Sequence, residues 1–358
     1  MSLNGVLNHL EALIAFDTQN PPRFLDADAP VFSYITEALG VGFEIEVTDH
    51  GLGRVSMLAV RGNPDLLFNV HLDTVPVIEG SRFPPLEMTQ DKGKVYGRGS
   101  CDIKGAAACL LEVAGATDQP MAMLFTTDEE GASGICVAEF VRSAQCRAFK
   151  QVVVAEPTDC VAVLSHRGYL SVKGEFSGVS GHSSEPRALK DNALHKLSTW
   201  VARAVNTAGQ LELEDRRPCF NVGEVHGGIK SNVIADQARL HWSARLSPGD
   251  SNKDFLDLMT GLDSSGSASW QVPFSGPPLP TDGQDTSSAQ AFVDRHGVES
   301  GPAVHFWTEA SLFAQAGFPA IVLGPGNIAQ AHVVDEWVSL EQLERALQIY
   351  TKLVSSHD

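Results

Sequence analysis

The amino-acid sequence predicts an α/β protein, in which a domain built on a mostly parallel sheet flanked by helices is interrupted by an inserted α+β domain. Two observations predict this fold class. In the first half of the chain, short and continuously apolar runs alternate with Ala- and Leu-rich stretches, as expected for strands that helices cover on both faces. In the middle of the chain, apolar and polar residues alternate instead, which is typical of an antiparallel sheet with one wet face.

The parallel-sheet domain is predicted from the order of its elements. Apolar residues recur at helical spacing over residues 6–14 and predict an opening helix. Continuous apolar runs at 66–70, 121–125 and 152–155 predict buried strands, and an Ala-rich stretch at 103–114 predicts a helix between the first two. We therefore expect a sheet that is buried on both faces.

The insertion is predicted where this pattern changes. Apolar and polar residues alternate over 170–176 and over 238–246, and apolar residues at helical spacing over 194–205 predict a helix between these strands. A stretch rich in Pro and Gly at 273–280 predicts a hinge. After it, the apolar run at 320–323 returns to the first pattern.

The domain boundaries follow from these changes of pattern. The parallel-sheet domain is predicted to comprise residues 1–168 and 279–358, and the insertion residues 169–278. Two domains suit a chain of 358 residues, and a domain interrupted by another fits the order of elements better than two domains in tandem.

The charge balance excludes some classes of partner. The chain has 26 Lys and Arg against 44 Asp and Glu, a formal net charge of −18, and 43% of its residues are hydrophobic. An acidic chain of this kind lacks the basic face that nucleic acid or an anionic membrane surface requires. We expect neither as a partner, and the open question is whether some of the acids converge on a cation.

The cysteines and the N-terminus predict a cytoplasmic location. Six cysteines are scattered without a Cys-x-x-Cys pair, which favours free thiols in a reducing compartment. The first residues have no basic region followed by a small-residue cleavage site, and no apolar run reaches the roughly 20 residues that span a bilayer.

Polar residues follow four of the predicted buried strands, and in open α/β sheets the carboxyl ends of the strands border the functional crevice. His71 and Asp73 follow the first strand, Asp128, Glu129 and Glu130 the second, Glu156 the third, and His332 the fourth. Asp102 lies at the start of the predicted helix 103–114. The sequence therefore predicts a convergence of two His and several carboxylates.

Such a crevice holds too much negative charge to stay unpaired, and bound divalent cations would neutralise it. A mixed His and carboxylate set without thiolates suits zinc, cobalt or manganese. Two ions bridged by one carboxylate would use five ligands and leave other groups for proton transfer.

Simpler interpretations exist for each motif alone. An isolated Asp-Glu-Glu is usually a solvated turn, and Cys101 is interpreted as a packing residue. Gly97, Gly99 and Gly105 suggest a phosphate-binding loop, but the Gly-Lys-Ser/Thr of a P-loop is missing and no predicted strand directly precedes these glycines. The joint occurrence at successive strand ends favours metal binding.

Six motifs occur in order along the chain, and they are His71-Leu-Asp-Thr-Val-Pro76, Gly97-Arg-Gly-Ser-Cys-Asp-Ile-Lys-Gly105, Thr127-Asp-Glu-Glu130, Ala155-Glu-Pro-Thr158, Gly181-His-Ser-Ser184 and Gln330-Ala-His332. In order and spacing they resemble a known family, the di-zinc deacylases and exopeptidases that include carboxypeptidase G, aminoacylase and succinyl-diaminopimelate desuccinylase, over nearly the whole chain. Three stretches, Val225-His-Gly-Gly-Ile-Lys-Ser-Asn232, Phe306-Trp-Thr-Glu-Ala310 and Leu323-Gly-Pro-Gly-Asn-Ile-Ala-Gln-Ala-His332, resemble most the branch of acetylornithine and acetylcitrulline deacetylases.

The resemblance implies a role for each residue of the predicted centre. Asp102 would bridge two divalent metal ions, with Zn²⁺ the expected metal and Co²⁺ a substitute. The remaining ligands would be His71 and Glu156 for one ion, and Glu130 and His332 for the other. Glu129 would be the general base, and Asp73 would orient His71 without binding metal.

The resemblance also implies a role for the insertion, as a ferredoxin-like lid and dimerisation domain of a homodimer. His182 would reach a substrate carbonyl, and Arg245, Asn232 and Thr308 fall where the family holds the α-carboxylate of its substrate. In the family, Pro often follows this Arg two residues later, whereas here Pro248 follows Arg245 three residues later.

The implied function is the removal of the acetyl group from an N-acetyl amino acid of the arginine pathway, N-acetylornithine or N-acetylcitrulline, which releases acetate. The substrate partner is then a small N-acyl amino acid. A desuccinylase or dipeptidase on the same scaffold is the first alternative. A non-catalytic metal- or peptide-binding homologue is the second, and it is disfavoured because all five ligand positions and Glu129 are present.

Overall fold

The computed structural model describes residues 1–22, 24–131, 133–213 and 218–356. The chain forms two compact units. The first comprises Met1–Leu164, Gln284–Ala303 and Thr308–Asp358, and the second comprises Ser165–Gly283 and Val304–Trp307. The chain therefore leaves the first unit, builds the second, and returns.

The helices and strands of the first unit come before and after those of the second. They are α1 (Leu3–Ala15), α2 (Pro30–Leu39), β1 (Glu44–Asp49), β2 (Val55–Arg61), β3 (Leu66–His71), β4 (Thr89–Asp91), β5 (Lys94–Tyr96), α3 (Lys104–Ala116), β6 (Met121–Thr126), α4 (Ile135–Arg142) and β7 (Gln151–Val154). The second unit contains β8 (Tyr169–Ser177), β9 (Gly181–His182), α5 (Ala188–Asp191), α6 (Ala193–Leu213), β10 (Cys219–Gly227), β11 (Val233–Ile234), β12 (Gln237–Arg245), α7 (Asn252–Thr260) and β13 (Ala268–Gly276). The first unit then resumes with α8 (Ser287–His296), α9 (Ala310–Gln315), β14 (Ala320–Val322), β15 (Trp337–Ser339) and α10 (Leu340–Ser355).

The main sheet of the first unit has the strand order β1-β2-β6-β3-β7-β14. The last four strands are parallel neighbours, and β1 and β2 add antiparallel pairs at one edge. All residues of β3, β6 and β7 are buried, as their continuous apolar runs require. The predicted α/β class with a mostly parallel sheet is confirmed.

Helices cover this sheet. Alternate residues of β3, among them Phe68, belong to one core cluster with apolar residues of α1, α3 and α10. Helix α3 is buried on nearly all sides because it packs against both α1 and α10 and against the sheet. Helix α9 packs against β7 and β14, and α4 packs against α9.

The second unit is an α+β layer. Its antiparallel sheet has the order β10-β12-β8-β13, and β12 alternates buried and more exposed residues as its sequence pattern predicts. The buried residues of β12 pack with α6 and α7 around Trp200, whose ring centroid lies 6.0 Å from that of Trp242 and 5.0 Å from that of Trp270.

One local prediction is wrong. The hinge is predicted at 273–280, but its first four residues belong to a strand, because β13 includes Pro273 and continues through Gly276. A proline fits there because β13 is an edge strand and its pairing with β8 shifts register between Gln271 and Phe274, so the missing N–H breaks no ladder bond. Among the helices in the described ranges, none is long and apolar enough to cross a membrane.

Candidate metal centre

The predicted polar residues meet at one edge of the main sheet. Strands β3, β6 and β7 are parallel neighbours, so their carboxyl ends lie side by side. His71 is the last residue of β3, Glu129 and Glu130 follow the end of β6, and Glu156 is the second residue after β7. The fold therefore delivers these side chains to one place in the first unit.

The first group of candidate ligands comprises His71, Asp102 and Glu156, all buried. His71 Nε2 lies 3.0 Å from Asp102 Oδ1 and 3.5 Å from Glu156 Oε1. This Glu156 oxygen is buried and has no hydrogen-bond partner among the described residues. A buried carboxylate oxygen left in this state needs a cation.

The second group comprises Asp102, Glu130 and His332. His332 Nε2 lies 3.1 Å from Asp102 Oδ2 and 3.0 Å from Glu130 Oε1. Asp102 thus belongs to both groups and faces each with a different oxygen, which is the arrangement of a carboxylate that bridges two cations.

The hydrogen bonding of His71 is a test of whether a cation fits. Its Nδ1 lies 2.8 Å from the backbone oxygen of Asp73, an acceptor, so Nδ1 carries the hydrogen. The other nitrogen, Nε2, then points its lone pair at the carboxylates of Asp102 and Glu156. Lone pairs that face one another are stable only with a proton or a metal ion between them. A neutral His whose Nδ1–H is bonded to a backbone oxygen is the usual state of a His that binds metal.

The spacing of the ligand atoms agrees with this. Two ligands of a tetrahedral ion at about 2.0 to 2.1 Å from the metal are separated by about 3.3 Å. The four His-to-carboxylate distances in the two groups lie between 3.0 and 3.5 Å. The donors are all nitrogen and oxygen, so the residues fit two divalent ions of the zinc, cobalt or manganese type.

The electrostatics of the centre show the same need for positive charge. Burial raises the pKa of Glu129 and of Glu156 well above the usual range for a carboxyl, and the neighbouring carboxylates add to it. Burial alone would raise the pKa of Asp102, but hydrogen bonds from His332 and His71 lower it below the usual range. Hydrogen bonds to Asp102 and Glu130 raise the pKa of His332 to about 10. Without metal ions, these carboxyl and imidazole groups can lie so close together only if some of them keep protons in the places that the cations would occupy.

Glu129 lies beside the two groups without belonging to either. It joins His71 and Glu130 in a third group of close ligand atoms, and neither of the two groups that share Asp102 includes it. Its side chain is partly buried. A carboxylate next to ligands and not required as one is placed as a general base requires.

Asp73 contacts His71 mainly through its backbone oxygen. The hydrogen bond from His71 Nδ1 goes to its backbone oxygen, and its carboxylate Oδ1 lies 3.5 Å away. The other carboxylate oxygen accepts from Asn20 Nδ2 at 3.1 Å and from the backbone N–H of Glu130 at 3.0 Å. Asp73 therefore holds His71 with its main chain and Glu130 with its side chain.

Three of the predicted substrate residues lie in the second unit. His182 and Asn232 come together there, because β9 pairs with β11 and the Asn232 backbone oxygen accepts from Ser183 N at 3.1 Å. Both side chains are exposed, and His182 Nδ1 lies 2.7 Å from the hydroxyl oxygen of Ser184. Arg245 ends β12 with its guanidinium 3.8 Å from the ring centroid of Tyr169.

Thr308 lies in the first unit, just before α9. It is fully buried, and its hydroxyl oxygen accepts from the backbone N–H of Ala310 at 3.2 Å. The roles assigned to these four residues stay predictions.

Of two further buried acids in this region, Asp128 is one of the acids predicted to follow the second buried strand, whereas Glu309 is not among the predicted residues. Glu309 is 1% exposed and accepts from the hydroxyl of Thr126 at 3.0 Å, and burial raises its pKa to about 8. Asp128 accepts from the backbone N–H of Ile135 at 2.7 Å and so caps α4. The only signal for Glu309 was its position after Thr308, and Asp128 was grouped with the two glutamates that follow it.

Comparison with known proteins finds deacetylases that are similar to this chain over most of its length. The chain is 41% identical over 364 residues to N-acetyl-L-citrulline deacetylase of Xanthomonas campestris pv. campestris, and the match covers 99% of this chain and 98% of the relative. It is 30% identical over 343 residues to acetylornithine deacetylase of Vibrio vulnificus, with 88% of each chain covered.

Solved structures share the fold. Aminopeptidase PepT from Bacillus cereus superposes with a TM-score of 0.73 at 17% identity, covering 99% of this chain and 98% of that one. The YXEP protein of Bacillus subtilis, a dinuclear metal-binding peptidase, has a TM-score of 0.65 at 15% identity, covering 98% of this chain and 97% of that one.

The family match covers most of the chain. Residues 67–356 match the peptidase family M20/M25/M40, and this range contains both candidate ligand groups and Glu129. The predicted hydrolase is confirmed at the level of the family. By its residues, its fold and its relatives, the chain belongs to the peptidase family M20/M25/M40.

Proposed function

We propose that this chain is a metal-dependent amidohydrolase that removes the acetyl group from N-acetylcitrulline, giving acetate and citrulline. The observation that carries the proposal is the shared carboxylate of Asp102 between two complete ligand groups, in a chain 41% identical over its length to an N-acetyl-L-citrulline deacetylase. N-Acetylornithine is the second candidate substrate, since relatives at 30% identity are acetylornithine deacetylases.

Two ions would be held by the five ligands already described. His71, Asp102 and Glu156 would hold one ion, and Asp102, Glu130 and His332 the other. When bound, such ions would polarise the acyl carbonyl and lower the pKa of a bound water molecule towards about 7. Zn²⁺ is the proposed metal with Co²⁺ as a substitute, because the donor set has both imidazole and carboxylate and no thiolate.

Glu129 would move the proton. Its carboxylate takes a proton from the attacking water and gives it to the amide nitrogen as the C–N bond breaks, so that acetate and a free amine leave. The place of Glu129 beside His71 and Glu130, outside both groups that share Asp102, supports this role. The carboxylate of Asp73 would keep Glu130 in place by accepting a hydrogen bond from the backbone N–H of Glu130.

The second unit would act as a lid and dimerisation domain of a homodimer. In this proposal His182 stabilises the charge that develops on the acyl oxygen, and Arg245, with Asn232, binds the α-carboxylate. The exposed side chains of His182 and Asn232 support it. Thr308 would be the third residue that binds the α-carboxylate.

The cellular context is part of the same proposal. All six cysteines are free and five are buried, which agrees with a reducing compartment. We assign the enzyme to the cytoplasm and to the arginine pathway, where acetylated amino acids of this kind are deacylated.

A substrate panel tests the proposal. Steady-state rates are measured on N-acetylcitrulline, N-acetylornithine, N-acetylmethionine and N-succinyl-diaminopimelate, each with added Zn²⁺ or Co²⁺ and with the metal-free protein as the control. We expect the highest kcat/KM for N-acetylcitrulline and no turnover without metal. A preference for the succinyl substrate would make the chain a desuccinylase, and metal binding without any amide hydrolysis would make it a non-catalytic homologue.

A further inference from the structure

The carboxylate of Glu336 organises the turn that carries Asp102. Glu336 is 3% exposed and lies just before β15. Its Oε1 accepts from the backbone N–H of Cys101 at 2.9 Å and of Asp102 at 3.0 Å, and its Oε2 accepts from the backbone N–H of Gly99 at 2.9 Å. One side chain thus holds three backbone donors of a single turn.

Arg98 adds further bonds from the same turn to Glu336 and to the segment before it. Its Nη1 donates to Glu336 Oε2 at 2.7 Å, with both side chains 2% exposed, and its Nη2 donates to the backbone oxygen of Val333 at 3.3 Å. The backbone oxygen of Glu336 also accepts from Gly97 N at 3.2 Å. The segments 97–103 and 332–336 therefore hold each other by side-chain and main-chain bonds.

Both segments carry a ligand of the second group and lie outside helices and strands. Asp102 is in the first segment, and His332 begins the second with a φ of 56°, a left-handed conformation that costs free energy for a residue with a side chain. Charge-assisted bonds to buried backbone N–H groups are among the stronger ones in proteins. Because Arg98 neutralises Glu336, these bonds add no net charge to an acidic centre.

We propose that Glu336 is a positioning residue that sets the place of the shared Asp102 carboxylate relative to His332. The proposal rests on the proposed two-ion function of Asp102. Glu336 touches neither candidate ion group with its own carboxylate, so it acts through the backbone of the bridging residue.

Glu336→Gln tests this with little change in size. Glutamine keeps one acceptor oxygen, but its NH₂ group faces backbone N–H donors in place of the second oxygen. We expect the apo variant to bind Co²⁺ and Zn²⁺ 10- to 100-fold more weakly than the apo wild type, the usual effect of losing a partner that orients a metal ligand. Isothermal titration measures the affinity, and the visible spectrum of the Co²⁺ protein reports the change in ligand geometry.

Two further variants keep the test decisive. Glu112→Gln is the matched control, because Glu112 also accepts from a backbone N–H, that of Ser2 at 2.7 Å, but lies two turns along α3 from Asp102, and we expect it to leave metal affinity unchanged. Arg98→Lys removes the guanidinium and leaves the three backbone bonds to Glu336, so it should weaken binding less than Glu336→Gln. If Glu336→Gln does not fold, weaker Co²⁺ binding by Arg98→Lys than by Glu112→Gln supports the proposal, and equal binding overturns it.

The outcomes also separate this proposal from the proposed function. Wild-type Co²⁺ affinity and spectrum in folded Glu336→Gln would overturn the positioning role while leaving the deacetylase intact. A wild-type protein that binds two ions but hydrolyses no N-acyl amino acid would refute the deacetylase, and weaker binding by Glu336→Gln would still support the positioning role. Excess metal should restore much of the kcat of this variant, since the reacting groups are unchanged.

Discussion

Replacing Glu129 by glutamine separates the general base from the metal ligands. Both groups that share Asp102 keep their three residues in this variant, because Glu129 belongs to neither. The metal content should therefore stay at two ions per chain. Loss of proton transfer by a positioned side chain costs about 10²- to 10⁴-fold in rate, which corresponds to about 3 to 5 kcal/mol of activation free energy.

The adjacent residue provides the control. Glu130→Gln has the same chemistry one position along the chain, but it weakens one of the three donors in the group with Asp102 and His332. We expect this variant to hold one ion instead of two after dialysis. Metal analysis and kcat for N-acetylcitrulline are measured on both variants. Near-normal turnover by Glu129→Gln would refute its role as the base, and loss of metal from that variant would make it a ligand.

Three more predictions follow from single residues. His182→Ala should lower kcat for N-acetylcitrulline and leave the metal content at the wild-type value; loss of metal would refute its assignment to the substrate carbonyl. Trp200→Ala should cost about 3 to 5 kcal/mol in urea unfolding of the second unit, because this buried ring also donates to Met259 O at 2.8 Å, and a cost under 1 kcal/mol would contradict that packing. Burial lowers the pKa of His166 to about 4 from 6.5, so between these two pH values the unfolded chain binds more protons than the folded chain. About 3 kcal/mol of stability that is present above pH 6.5 should therefore be lost as the pH falls to 4. His166→Gln should lose this part of the pH dependence in urea titrations at pH 4.5 and 7, and an unchanged difference between the two pH values would contradict it.

Sequence was sufficient for the parts of the fold that depend on local pattern. The run before Glu156 is rich in Val, and the run ending at His71 is apolar apart from Asn69, so strand type and strand end could both be predicted. Strands β1 and β2 and the helix α2 are not identified from sequence, because their residues carry weaker patterns and the pairing of the two strands is set by the sheet they join.

The candidate site also has some residues that sequence predicts and others that it does not. Convergence of His71, Glu130 and Glu156 follows from parallel strand order, which is a rule of topology. His332 follows β14 after a longer connection, so sequence predicts that it approaches the crevice, and only the resemblance pairs it with Glu130 as a ligand of one ion. The contacts of Glu336 could not be predicted, because its partners are backbone N–H groups that are the same in every residue.

The most direct test of the central claim is a titration of the metal-free protein with Co²⁺ while N-acetylcitrulline hydrolysis is followed. Two ion groups that share Asp102 predict that activity rises until two equivalents per chain are bound and that Asp102→Ala shows no such rise. Full activity in the metal-free protein, or unchanged metal binding and turnover in Asp102→Ala, would contradict the account.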